Sequence, residues 1–89
     1  MRETDRIIDN YAEEMAQRLR ELIRIPSVKD NPLPGAPFGE NIKKALDYTL
    51  SLCNELGLET QNVDGYAGYA QISGEKKEQL GVLCHLDVV

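Results

Sequence analysis

Long apolar runs are missing from this sequence, and their absence excludes much. No stretch approaches the roughly twenty apolar residues needed to cross a bilayer, and the opening Met1-Arg2-Glu3-Thr4-Asp5-Arg6 lacks the apolar centre of a signal peptide. A cytoplasmic protein with no membrane contact is expected. Basic clusters are missing as well, since lysine and arginine never gather beyond the pairs Lys43-Lys44 and Lys76-Lys77. With 15 acidic against 10 basic residues and a net charge of −5, the composition argues against nucleic acid as a partner. Cysteine is scarce. Cys53 and Cys84 fall in an expected helix and an expected strand, which suits free thiols in a reducing compartment rather than a disulfide framework. Histidine is scarcer still: His85 stands alone. A metal needs more ligands than one imidazole, so any metal site that His85 serves is completed elsewhere.

What is present is ordinary for a folded protein. The chain has 89 residues, 42% of them apolar, enough for one small domain or a piece of a larger one. Ile7, Ile8, Tyr11, Met15, Leu19, Leu22 and Ile23 recur at three- and four-residue spacing, which predicts a helix over about 5–24 with this stripe facing the core. Thr4 or Asp5 is placed to cap it, and Pro26 stops it by disfavouring helical geometry at Ile25. Pro32, Pro34 and Pro37 with Gly35 and Gly39 mark 26–39 as a stiffened connecting loop. That loop is either a surface crossing between helices or a wall of a cleft. A second helix is expected over about 40–56, with Ile42, Ala45, Leu46, Thr49, Leu50, Cys53 and Leu56 on one face and Gly57 ending it. Asp64-Gly65 signals a two-residue hairpin turn between strands at 58–63 and 66–72. The apolar run at 79–84, without alternation, reads as a strand buried on both faces.

His85-Leu86-Asp87 follows that run. In an extended segment, residues two apart project to the same face, so an imidazole and a carboxylate meet at the carboxyl end of a strand, where open α/β sheets place their ligand sites. Such a pair suits a metal-binding histidine oriented by a carboxylate. Cys84 beside His85 suggests a thiol nucleophile, but strand neighbours point to opposite faces, and a small buried residue is the better reading of Cys84. The order helix, helix, hairpin, turn, buried strand gives an α/β fold with an incomplete sheet. A strand apolar on both faces requires cover and neighbours that these residues do not supply. The chain is therefore expected to be the beginning of a larger α/β domain.

Several segments carry a family resemblance: Leu22-Ile23-Arg24-Ile25-Pro26-Ser27-Val28, Pro37-Phe38-Gly39-Glu40, Leu56-Gly57-Leu58 and Gly81-Val82-Leu83-Cys84-His85-Leu86-Asp87-Val88-Val89. In register, they resemble the zinc-dependent dipeptidases of the metallopeptidase family that includes aminoacylase, acetylornithine deacetylase and succinyl-diaminopimelate desuccinylase. The stretch Asn62-Val63-Asp64-Gly65-Tyr66-Ala67-Gly68-Tyr69-Ala70 is similar to the bacterial dipeptidase V branch, related to enzymes that cleave Xaa-His dipeptides. The resemblance implies that His85 is a ligand of one of two zinc ions, with manganese an alternative, and that Asp87 is a catalytic residue supporting that histidine. It implies that residues 1–89 are the N-terminal portion of a metallopeptidase catalytic domain, with a dipeptide substrate, amide hydrolysis by a metal-activated water, and further ligands, a general base and a lid domain that have no match in residues 1–89. The isolated chain is then expected to be inactive. Two other readings stand beside this one. The first is a deacylase or desuccinylase of N-acyl amino acids within the same family. The second is a non-catalytic interaction module whose unfinished sheet edge pairs with another chain, self-association through 79–84 included.

Overall fold

Two helices and one hairpin make up the regular structure of the computed structural model, which describes residues 2–89. In chain order they are α1 (Glu3–Ile23), α2 (Glu40–Glu55), β1 (Glu59–Val63) and β2 (Ala67–Gln71). The expected sequence of helix, helix and hairpin is present, as an α/β arrangement with an incomplete sheet.

α1 starts earlier than its pattern suggests. Arg2 occupies the N-cap and makes no side-chain cap bond, so neither Thr4 nor Asp5 caps the helix. Both lie inside its first turn, where Glu3 and Asp5 place negative charge against the positive end of the helix dipole. At the other end the Arg24 amide donates to Arg20 and the Ile25 amide to Leu22, both at 3.1 Å. Pro26 then prevents continuation.

The apolar stripe of α1 is not core. No residue of the helix is buried, and Ile7, Ile8, Tyr11, Met15, Leu19 and Ile23 are all exposed. The cause is where α2 meets it. α2 touches the flank carrying Arg18 and Glu21, and the contact is largely polar. Arg18 Nη2 lies 2.8 Å from Glu55 Oε2. The Tyr48 hydroxyl donates to the Glu21 carboxylate, with the Arg18 carbonyl 3.3 Å from the same oxygen. This contact holds the Glu21 carboxyl below its ordinary pKa and raises that of Tyr48.

α2 ends as expected. Gly57 adopts φ +87°, the Leu58 amide donates to Cys53 and the Gly57 amide to Asn54, both at 3.0 Å. These are the two bonds of a Schellman motif. α2 then lies across the hairpin, burying Ala45 and Leu46. The approach is close: a Cβ on Gly68 would stand 3.0 Å from both Leu46 Cδ1 and Leu50 Cδ2.

In the hairpin, Glu59 pairs with Gln71 and Val63 with Ala67 in antiparallel register. The loop is therefore three residues, Asp64 to Tyr66, not two. Asp64 and Gly65 take φ +54° and +77°, as an Asp-Gly turn requires, and the Tyr66 amide donates to Val63 at 3.0 Å. Tyr66 leaves the ladder to stack edge-on against Phe38, with ring centroids 5.5 Å apart. The proline loop thus packs on the hairpin turn rather than merely crossing the surface. Leu33 and Ala36 exchange backbone bonds at 2.9 and 2.8 Å, and Ala36 is buried.

The expected buried strand at 79–84 does not form. The segment carries no ladder, and Leu80, Val82 and Leu83 are 95%, 83% and 101% exposed. Cys84, expected to be buried, is exposed too. A strand is stabilised by pairing and by cover on its faces, and among the described residues β1 and β2 pair only with each other. Apolar composition alone supplies neither requirement.

Candidate functional site

Pro26 ends α1 and leaves Ser27 in a buried turn, from which two bonds reach far along the chain. Ser27 Oγ donates to the Leu86 carbonyl at 2.9 Å, and the Val88 amide donates to the Ser27 carbonyl at 2.9 Å. Val28 and Val88 form a parallel bridge beside them. The residues on either side of Asp87 are thereby stitched to the end of the first helix, and His85 is held just before the stitch.

His85 and Asp87 come together as their spacing predicts. His85 Nδ1 lies 3.0 Å from the Asp87 carbonyl oxygen and 3.4 Å from Asp87 Oδ1. A carbonyl only accepts, so in a neutral imidazole a hydrogen bond here would put the proton on Nδ1 and the lone pair on Nε2. The imidazole is 83% exposed and the carboxylate 59%, so Nε2 is open to an incoming ligand. Both cysteines are free thiols, and none of the side-chain hydrogen bonds of Cys84 or His85 among the described residues joins the two. Among the described residues no group of three or more histidine, cysteine, aspartate or glutamate side chains converges in a way that could hold a metal ion.

The pair borders a cleft of about 650 Å³. α2 supplies its apolar floor through Ile42, Leu46 and Leu50, one wall is β2, and the other is the segment 82–87 with His85 and Asp87 at its end. Phe38 of the proline loop also lines it, so that loop does wall a cleft. Ser27 is the residue that sequence reasoning missed. A serine after Pro26 carries no mark of a contact 59 residues away. No helix among the described residues is long and apolar enough to cross a membrane.

No family model matches the chain. It is 42% identical over 79 residues to the Bacillus subtilis (strain 168) protein named "Putative dipeptidase YtjP", covering 86% of this chain and 17% of that protein. It is 36% identical over 84 residues to the Staphylococcus aureus (strain USA300) protein named "Putative dipeptidase SAUSA300_1697", covering 92% of this chain and 18% of that one. The chain spans under a fifth of the length of the curated relatives it matches. Most of its own length is therefore similar to a segment of proteins named as dipeptidases.

Proposed function

We propose that this chain is part of a metal-dependent dipeptidase, in which His85 ligates one of two zinc ions, or manganese, and Asp87 orients the imidazole. The observation that carries this reading is the similarity to proteins named as dipeptidases over 79 to 84 residues, a similarity that takes in most of the chain. The local geometry is compatible with it. With Nδ1 turned to Asp87, Nε2 is the nitrogen presented outward, and a metal-bound histidine commonly donates its other N–H to a carbonyl or carboxylate. One imidazole fits one ligand position of a zinc site and cannot complete it. The remaining ligands and the general base belong to polypeptide outside residues 2–89. A bound metal would supply Lewis acidity there, lowering the pKa of a bound water and polarising a substrate carbonyl, with His85 as the residue of this chain that would hold it. This chain's own contribution is positional. Ser27 anchors the Leu86 carbonyl, Asp87 fixes the ring tautomer, and the cleft beside them is lined largely by apolar and small residues.

The test uses a protein of the relatives' length that carries this sequence. His85→Ala should lose the metal it ligates, while Asp87→Ala should keep most of the metal and lose activity by about ten- to a hundredfold. Metal content and dipeptide turnover are measured on both variants. Equal metal loss in the two would make Asp87 a ligand. Hydrolysis of N-acyl amino acids in place of dipeptides would reassign the reaction to a deacylase.

A further inference from the structure

Ser27 grips both peptide planes that meet at Asp87. In a parallel ladder a residue donates its amide to one carbonyl of the neighbouring strand and accepts an amide from two residues further along it. Ser27 accepts from the Val88 amide in this way, but its own amide is committed to the Ile25 carbonyl at 2.8 Å, in the turn that follows α1. The hydroxyl takes the amide's place and donates to the Leu86 carbonyl at 2.9 Å. The Leu86 carbonyl shares a rigid peptide plane with the Asp87 amide, and the Val88 amide shares the next plane with the Asp87 carbonyl. With both planes held, the backbone of Asp87 has little freedom to rotate. The Asp87 carbonyl is in turn the atom that His85 Nδ1 faces at 3.0 Å. Ser27 is buried, which shields its hydroxyl from water. Among the described residues no other hydrogen bond joins 73–89 to the rest of the chain.

We infer that Ser27 is a positioning residue for the His85 imidazole. Its hydroxyl, standing in for a backbone amide, fixes the peptide between Leu86 and Asp87 and thereby sets where Nε2 points. The consequence for a metal rests on the dipeptidase reading; the hold on the ring rests on the geometry. A hydroxyl that only filled a buried turn would change stability and leave the metal affinity of folded molecules alone. A positioning hydroxyl changes that affinity, because a ligand site works only while its groups are held within about 0.5 Å of the productive geometry. Ser27 does not line the cleft, so its loss should leave substrate binding unchanged.

The experiment uses a protein of the relatives' length that carries this sequence, as Ser27→Ala and Ser27→Thr. Zinc affinity is measured by competition with a chelator, and ligand geometry by the visible spectrum with cobalt(II) in place of zinc. Ser27→Ala should weaken zinc about tenfold, the low end for outer partners of a ligand because it acts through the backbone. It should also shift the cobalt bands and lower kcat on a dipeptide without changing KM. Ser27→Thr keeps the donor and should restore all three. If the threonine methyl unfolds the buried turn by circular dichroism, the metal-free 89-residue chain decides. There Ser27→Ala should weaken the NMR contact between the His85 ring and Asp87 and move the ring signals toward those of an unstructured histidine. Unchanged zinc affinity in a destabilised Ser27→Ala protein would overturn the inference. Equal weakening in folded alanine and threonine variants, or unmoved ring signals in the chain, would do so as well. His85→Ala run beside them separates the two claims. If it keeps its zinc, the ligand reading fails and the ring signals alone judge Ser27. If it loses zinc while Ser27→Ala does not, only the positioning role fails.

Discussion

Replacing Ser27 with alanine isolates the tie between α1 and the segment that bears His85. The hydroxyl donates to the Leu86 carbonyl at 2.9 Å across 59 residues, while the Val88 amide bonds the Ser27 backbone and survives the substitution. A neutral hydrogen bond contributes about 1 kcal/mol net, and an acceptor left buried without a partner costs up to about 3 kcal/mol. Leu86 is only half-buried, so water reaches its carbonyl and the lower figure applies. The expected loss of about 1 kcal/mol multiplies the open population of 86–88 by about five. Hydrogen exchange at the Val88 amide should accelerate by that factor, with the α2 amides unchanged. The effect is local because Ser27 contributes little to the contact between α2 and the hairpin. An unchanged Val88 rate would show that the backbone bond alone holds the segment. A uniform acceleration throughout the chain would show that Ser27 supports the whole fold instead. Either result refutes the view of Ser27 as a local stitch.

Three further perturbations follow from the packing. Leu46→Ala removes the largest apolar side chain that α2 buries, and should cost about 2–3 kcal/mol by urea denaturation, at the lower end for core leucines because the site is near the surface. Gly39→Ala should cost more than Gly57→Ala, although both take left-handed φ, +100° and +87°. A Cβ at Gly57 enters open space, whereas at Gly39 it would lie 2.8 Å from Asp30 Cβ. The backbone penalty alone, about 1–2 kcal/mol, is expected for Gly57→Ala, and equal losses would refute the collision. Acid should loosen α1 from α2. Donation from Tyr48 lowers the pKa of Glu21 in the folded chain, so this contribution is complete above the ordinary carboxylate pKa and disappears as pH falls through the depressed value. Tyr48→Phe should weaken that pH dependence, leaving the part due to Gln17 and Arg18, followed by NMR shifts of the Glu21 and Arg18 amides.

What the sequence made legible is local. Three- and four-residue spacing located both helices, Pro26 located the end of the first, and Gly57 and Asp64-Gly65 located backbone turns that need positive φ. These signals act within a few residues, where chain sterics decide. The loop of three residues instead of two was not legible: Val63 pairs with Ala67, and Tyr66, left outside the ladder, packs edge-on against Phe38 of another segment. Nor was the fate of the two apolar stretches. Periodicity shows that the stripe of α1 and the run 79–84 suit burial, but burial is a property of a pair, and the partner is not written in the stretch itself. His85 and Asp87 met as expected because period two is again local. Ser27 and the Tyr48–Glu21 contact join residues 59 and 27 positions apart, and nothing in a serine or a tyrosine announces such a partner.

The polar attachment of α1 has a consequence for how the chain melts. Cooperative unfolding arises when elements share a core, so that losing one strips apolar cover from the others. α1 shares none, having no buried residue. Its 21 residues form a rod of about 31 Å, and the chain's radius of gyration is 15.2 Å where a spherical domain of this length has about 12 Å. Heat should therefore be absorbed in two steps, the rod uncoiling first and the unit of α2 and the hairpin later. The calorimetric enthalpy would exceed the van't Hoff enthalpy, and a single melting temperature would be an average over two transitions. Exchange of the α1 amides would then report a helix–coil equilibrium, and only the amides of α2, β1 and β2 would measure the stability of the fold.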